Sequence, residues 1–309
     1  MTTARRRACV LLAALAMAAP AVGGAAPLET NDVLLNHFGG KIQQYRGGIL
    51  VDTITGTSTS WAGVAVTRQR NVATVRRTPD IGLEFFAPGG GPIGGRPITG
   101  MLLPTEVEVF ADGTFVIPDQ NADALKLVSA AGVVVDTFTN ATMDGPIALA
   151  VAPDDTVWVA NRKSQDVDRF DRAGNDIGGF ALGFEPGEIA LDPDDGTLWI
   201  ASRLTGAIVH RSTEGAALGS VATGISASAL VPFDSFGINR AGILLALDLA
   251  GSSVLGFDRE ETPVGSFPVP QPNNPFRLVV VPEPGAEAAA GAAAAALPGF
   301  AARRRRRAR

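Results

Sequence analysis

Two stretches of this chain repeat one another. Pro146-Ile147-Ala148-Leu149-Ala150-Val151-Ala152-Pro153-Asp154-Asp155-Thr156-Val157-Trp158 is matched by a second stretch from Pro186 through Ile189-Ala190-Leu191-Asp192-Pro193-Asp194-Asp195-Gly196-Thr197 to Trp199, and the two tryptophans lie 41 positions apart. A period of this size marks a small supersecondary unit that cannot bury its apolar faces alone and must stack on copies of itself. Each copy reads as strand, Asp/Gly turn, strand. A third strand follows, ending at Phe170, with Gly174 four residues on, and then a looser fourth strand. The third-strand position can be followed along the chain as Tyr45, Phe86, Val128, Phe170, Arg211 and Phe257, at steps of 41, 42, 42, 41 and 46 residues. Six positions at near-equal steps predict six four-stranded blades arranged radially, an all-β fold closed around an axis.

The two ends of the repeat region fit each other. The first repeat begins at Asn31 without a leading strand, and the last apolar run, Pro275-Phe276-Arg277-Leu278-Val279-Val280-Val281, matches the leading strand that starts at Pro186. The spare strand, 276–281, is therefore expected to complete blade one and pair the edges an open array would expose. The predicted domain is a six-bladed β-propeller over 27–281.

The Asp-Gly-Thr-Leu-Trp-Ile-Ala run of 195–201 and Phe170-Asp171-Arg172-Ala173-Gly174 resemble the NHL-type six-bladed propellers, which are related in shape to streptogramin-lyase-like and gluconolactonase-like proteins. The resemblance spans about 31–281. It is sharpest in blades four and five and poorest in blade two, over Asn71 to Arg77. The Gly-His and Trp-Asp pairs of WD repeats are absent.

The segments outside the repeats read as addresses. Arg5-Arg6-Arg7, the short apolar run from Cys9 to Ala19 and the small residues to Ala26 have the order of a cleavable signal peptide, assigned to 1–26. Cys9 is the only cysteine, so the exported chain would carry no disulfide. At the other end, 282–309 breaks the strand pattern. Val281-Pro282-Glu283-Pro284 is followed by an alanine-rich apolar stretch to Ala302 and then Arg303, Arg304, Arg305, Arg306 and Arg307. Eighteen residues of helix span about 27 Å, close to a bilayer core, and the arginines would remain on the cytoplasmic side. This order is similar to the PEP-CTERM sorting signal. The resemblance implies an exosortase-like membrane protease as partner, transient tethering to the inner membrane, and delivery to the cell surface or extracellular matrix of a Gram-negative, exopolysaccharide-making bacterium.

Charge narrows the partners. Nine of the 26 basic residues and two of the 31 acids lie in the terminal segments, leaving 17 bases against 29 acids, a net of −12, in between. Such a surface repels nucleic acid and anionic lipid and would tolerate divalent cations or neutral sugars. Exopolysaccharide or a surface protein is the expected ligand.

One polar column stands out at the ends of the second strands: Asn36, Arg77, Asp119, Asn161, Ser202 and Asp248. A second, on the innermost strands, holds Glu106, Ala148, Glu188 and Arg277. Glu188, Asn161, Asp248 and Asp119 would supply hard oxygen ligands for Ca²⁺ or another divalent cation; the gluconolactonase-like resemblance implies a metal in comparable channel positions. The competing reading is a column that merely solvates the channel and strand ends. No nucleophile–base pattern is evident among the two histidines, His37 and His210, and no Gly-x-Ser-x-Gly occurs. A non-catalytic binding or structural propeller is therefore expected, with a divalent-metal-dependent hydrolase or lactonase as the alternative. The Asp-rich turns lack EF-hand spacing and read as hairpins. The glycine-rich stretch 89–95 reads as a flexible loop between blades two and three.

Overall fold

A computed structural model of the chain describes residues 26–37, 39–227, 233–269 and 275–282. The leader, Glu283, Pro284 and the arginine run lie outside the described residues. Among the described residues, 24 strands form six four-stranded antiparallel sheets. Pro275–Val280 is the innermost strand of blade one, pairing Leu35 with Leu278 and Val33 with Val280, so the predicted closure is the observed one. The innermost strands touch in succession around the ring, from Ser60–Val66 to Phe236–Ile238 and back to Pro275–Val280.

The core explains why the strands are apolar on both faces. Six apolar clusters each draw on two successive blades. Along Val157–Asn161 side chains alternate, Val157 and Val159 facing blade three, Trp158 and Ala160 facing blade five. A blade is thus buried only by its neighbours. Val33, Leu35, Tyr45 and Leu278 of blade one share a cluster with Leu247, Val254 and Val269 of blade six, which makes closure an apolar interface like the other five.

The anchor positions have a physical meaning. In all six blades the pairing of the third and fourth strands shifts register at the anchor, between Gln44 and Tyr45, Phe85 and Phe86, Leu127 and Val128, Arg169 and Phe170, His210 and Arg211, and Gly256 and Phe257. The turn then needs a residue at positive φ four positions later, filled by Gly90, Gly132, Gly174 and Gly215 at φ of 75° to 84°. This is the geometry of a bulged hairpin, for which glycine is the unstrained residue. Blade one shortens the device to Gly47-Gly48, both at positive φ, between Arg46 and Ile49. These glycines also meet the preceding blade. A Cβ on Gly174 would lie 2.3 Å from Phe138, on Gly215 2.5 Å from Phe180, and on Gly48 2.9 Å from Phe267.

The stretch 89–95 departs from expectation. Gly90 is the bulge turn of blade two, and Pro92–Pro97 is that blade's outer strand rather than a loop between blades. Its side chains are largely exposed, so an outer strand needs little apolar patterning, and its glycines hid it.

In blade six Glu261 takes the glycine's place at φ 67°, with its N–H donated to the Asp258 carbonyl at 3.2 Å. An L-residue there carries about 1–2 kcal/mol of strain, partly offset by the entropy a glycine adds to the unfolded chain. Glu261→Gly is therefore expected to stabilise the protein by roughly 0.5–1 kcal/mol, read as a higher denaturant midpoint at unchanged slope; a lower midpoint would contradict the assignment.

Candidate functional site

The innermost strands begin irregularly, and this aims side chains at the axis. Pairing skips Ile147 in blade four, Gly187 and Glu188 in blade five, and Phe276 in blade one. Such bulges redirect the residues beside them. Gly187 is required by close approach: a Cβ there would lie 2.6 Å from the Phe233 carbonyl of the next segment.

At this end the axis is filled by Arg277. Its Nη1 donates to Glu188 Oε2 at 2.5 Å and to the Asp234 carbonyl at 3.2 Å; its Nη2 donates to the Ile147 carbonyl at 3.1 Å and the Thr105 carbonyl at 3.4 Å. Glu106 Oε1 lies 4.0 Å from Nη1. One guanidinium carried by blade one thus reaches the inner segments of blades three, four, five and six. Arg77 of blade two stands beside it, donating Nε to the Pro104 carbonyl at 2.8 Å.

The electrostatics follow from burial. Glu106 and Glu188 are buried, hydrogen-bonded to each other, and both held above the usual carboxylate range, Glu188 the more strongly. Burial is the main cause for both; the Glu106 charge pushes Glu188 further, and Arg277 opposes the shift. Glu106 also accepts the Leu149 N–H at 3.1 Å, and Glu188 the Ile189 N–H at 3.3 Å. Burial and then Arg277 push Arg77 below the normal guanidinium range, while the carboxylates outweigh burial for Arg277 and raise it.

The predicted cation ligands occupy the expected strand ends, but each has its own partners. Asp119 accepts the Leu102 and Leu103 N–H groups at 2.9 and 2.7 Å. Asn161 donates Nδ2 to Asp166 and Asp168 at 2.9 and 2.7 Å. Asp248 accepts the Gly251 N–H at 2.9 Å, and Glu188 belongs to the axial cluster. Among the described residues no group of three or more His, Cys, Asp or Glu is arranged to hold a metal ion. Elsewhere in the column, Ser202 accepts from Thr205 at 2.7 Å, and the Asn36 amide, fully buried, makes no hydrogen bond to the described residues.

His210 lies flat on Trp199, ring centroids 3.9 Å apart, with Nε2 2.6 Å from Thr197 Oγ1. Asp195 Oδ1 accepts from that same hydroxyl at 2.6 Å, so hydroxyl, imidazole and carboxylate do not form a nucleophile–base relay. The Asp-rich turns serve themselves: Asp154 and Asp195 accept the N–H groups of Thr156 and Thr197 at 3.0 and 2.9 Å. Asp192 accepts from Trp199 Nε1 at 3.0 Å and, across blades, from Arg259 at 2.6 and 2.7 Å.

The other end of the axis is open. A funnel of about 800 Å³ is walled by the last residues of the inner strands, including Val66, Val109, Val151, Leu191 and Val280, and rimmed by Glu108, Asp154, Asp155, Asp194 and Asp195. Five blades contribute to it, and none of the four predicted ligands lines it. Sequence reasoning missed this cavity because its walls are ordinary strand residues; only the Asp-rich turns at its rim gave a signal.

The fold and this geometry define a six-bladed β-propeller. It is similar to virginiamycin B lyase from Staphylococcus aureus, at 15% identity and a TM-score of 0.56 over 72% of this chain and 75% of that one. It is also similar to a protein of unknown function from Bacteroides caccae, at 14% and 0.62 over 81% and 98%, and to a chain of a nidogen/laminin complex, at 12% and 0.63 over 80% and 97%. At these identities the likeness is one of fold. No family model and no curated protein matches the sequence.

Two outcomes test the axial cluster. Removing one partner of a buried ion pair strands the other, so Arg277→Met is expected to cost about 3–5 kcal/mol near neutral pH and less near pH 4, where the carboxyls protonate; a loss below about 1 kcal/mol at neutral pH would show that the hub is dispensable. Glu188 has a raised folded pKa, so its stabilising share is complete below the ordinary value of 4.5 and is lost as pH rises through the folded value. Glu188→Gln should therefore flatten the fall in unfolding free energy above pH 4.5, measured by denaturant titration from pH 4 to 9. Parallel curves for the two proteins would refute this.

Proposed function

We propose that the chain is an exported, non-catalytic binding propeller, delivered through its PEP-CTERM-like tail and holding its ligand in the funnel. The observation that carries this reading is the contrast between the two ends of the axis. At one, the buried charges are hydrogen-bonded to one another and to backbone. At the other, five blades surround an open cavity with apolar walls. The cavity joins apolar strand ends to a polar margin of carboxylates, Arg169, Thr156 and Thr213, so it can offer a ligand both apolar contact and hydrogen bonds. The funnel rim and the net charge of the central region are acidic, which favours neutral or cationic ligands over anionic ones. A neutral exopolysaccharide at the cell surface or in the matrix fits these terms. The order of leader, propeller and tail supports export from a Gram-negative cell and processing by an exosortase-like protease.

The test is a comparison of the chain with an Ala152→Trp variant that fills the funnel. On a glycan array, neutral polysaccharides are expected to be retained by the former and lost by the latter, with similar unfolding midpoints. Equal retention by both proteins, or a preference for anionic polymers, would overturn the placement of the site.

A further inference from the structure

Both chain ends leave the propeller at the funnel. Val281 donates its N–H to the Asp32 carbonyl at 2.8 Å and accepts from Asn31 at 2.9 Å, so the incoming and outgoing segments continue side by side. Arg70, in the turn after Val66, clamps both: Nη1 donates to the Pro282 carbonyl at 2.7 Å and Nη2 to the Leu28 carbonyl at 2.9 Å. Arg46 Nη2 holds the Pro27 carbonyl at 2.7 Å. Pro282 itself lines the funnel.

The distance to the apolar tail is short. Only Glu283 and Pro284 separate Pro282 from the stretch beginning at Gly285. Three extended steps cover about 10 Å, and six, if the membrane segment starts only beyond Glu287, about 20 Å. We propose that while the tail spans a bilayer the funnel faces that bilayer and is covered by it, and that release of the tail uncovers the funnel. The Arg277-filled end, one strand length away, faces away from the bilayer while the tail spans it. The proposal rests on the reading of the tail as a membrane segment. The occupant of this face is a lipid surface held against the acidic rim by the covalent tether. Charge repulsion from anionic lipid then favours departure once the tether is cut.

The full chain with Cys9→Ser carries no thiol, so single introduced thiols report accessibility. One is placed at the funnel rim by Asp154→Cys and one at the opposite end by Leu204→Cys, both at exposed positions. A protease site is inserted after Pro284, and the protein is reconstituted in phosphatidylcholine–phosphatidylglycerol vesicles. Labelling by a maleimide polymer is expected to be lost for Asp154→Cys and complete for Leu204→Cys while the chain floats with the vesicles. After cleavage both should label. A chain that floats yet labels equally at both positions overturns the proposed orientation and leaves the tail reading intact. A chain that does not float overturns the tail reading, and this proposal with it.

Discussion

The rest of this structure depends on a single buried guanidinium. Arg277 sits on the strand that closes the ring and bonds to the inner segments of four other blades. Closure and the filling of the axis are therefore one event. A one-residue slip of Pro275–Val280 would turn Arg277 away from the axis and swap the faces of Leu278 and Val279. The slipped form would leave Glu106 and Glu188 buried without their cation, so the charge cluster selects the register even where its net stabilisation is small.

The same cluster divides the molecule into unlike ends. Where inner strands begin, bulges bring backbone carbonyls and carboxyl groups onto one cation at the axis. Where they end, the strands finish on Val, Leu and short Asp-rich turns whose side chains bond within their own loops or to a neighbouring blade. Among the described residues this end of the ring keeps an open central space, the funnel. At the funnel end the ring is held at its margin instead, by Arg70 on the Pro282 and Leu28 carbonyls and by Arg259 on Asp192.

Much of this was legible in the sequence, and the residues show why. The fold rested on a spacing, and the spacing reports a bulged hairpin that recurs in every blade, including blade six, where Glu261 does a glycine's work. Blade two matched poorly over Asn71 to Arg77 because this second strand pairs irregularly with Ser60–Val66, its register shifting at two places, and its outer strand is written in glycine and proline, which an exposed strand tolerates. The polar column was placed correctly, but its chemistry was not readable. Whether Asp119 holds a cation or two backbone N–H groups depends on where Leu102 and Leu103 pass, and no periodicity encodes that. Arg277 was visible only as one member of a column. That it meets Glu188 depends on the ring's closing, since residues aligned in the repeat face one another across the axis.

That last relation constrains how alike the repeats can be. Glu188 and Arg277 occupy matching places in two repeats, with Ala148 at the same place in a third. In a ring of identical repeats, one side-chain type would converge on the axis from every blade. Copies of a glutamate would repel and take up protons, and copies of an arginine would repel without that escape. Copies of an alanine would leave the centre unfilled. A dry, closed end requires that this column differ from blade to blade while the core columns, which meet only their neighbours, stay alike. The repeat is therefore most degenerate where the blades meet, and a search for sites by matching repeats is least informative at the residues that hold the ring together.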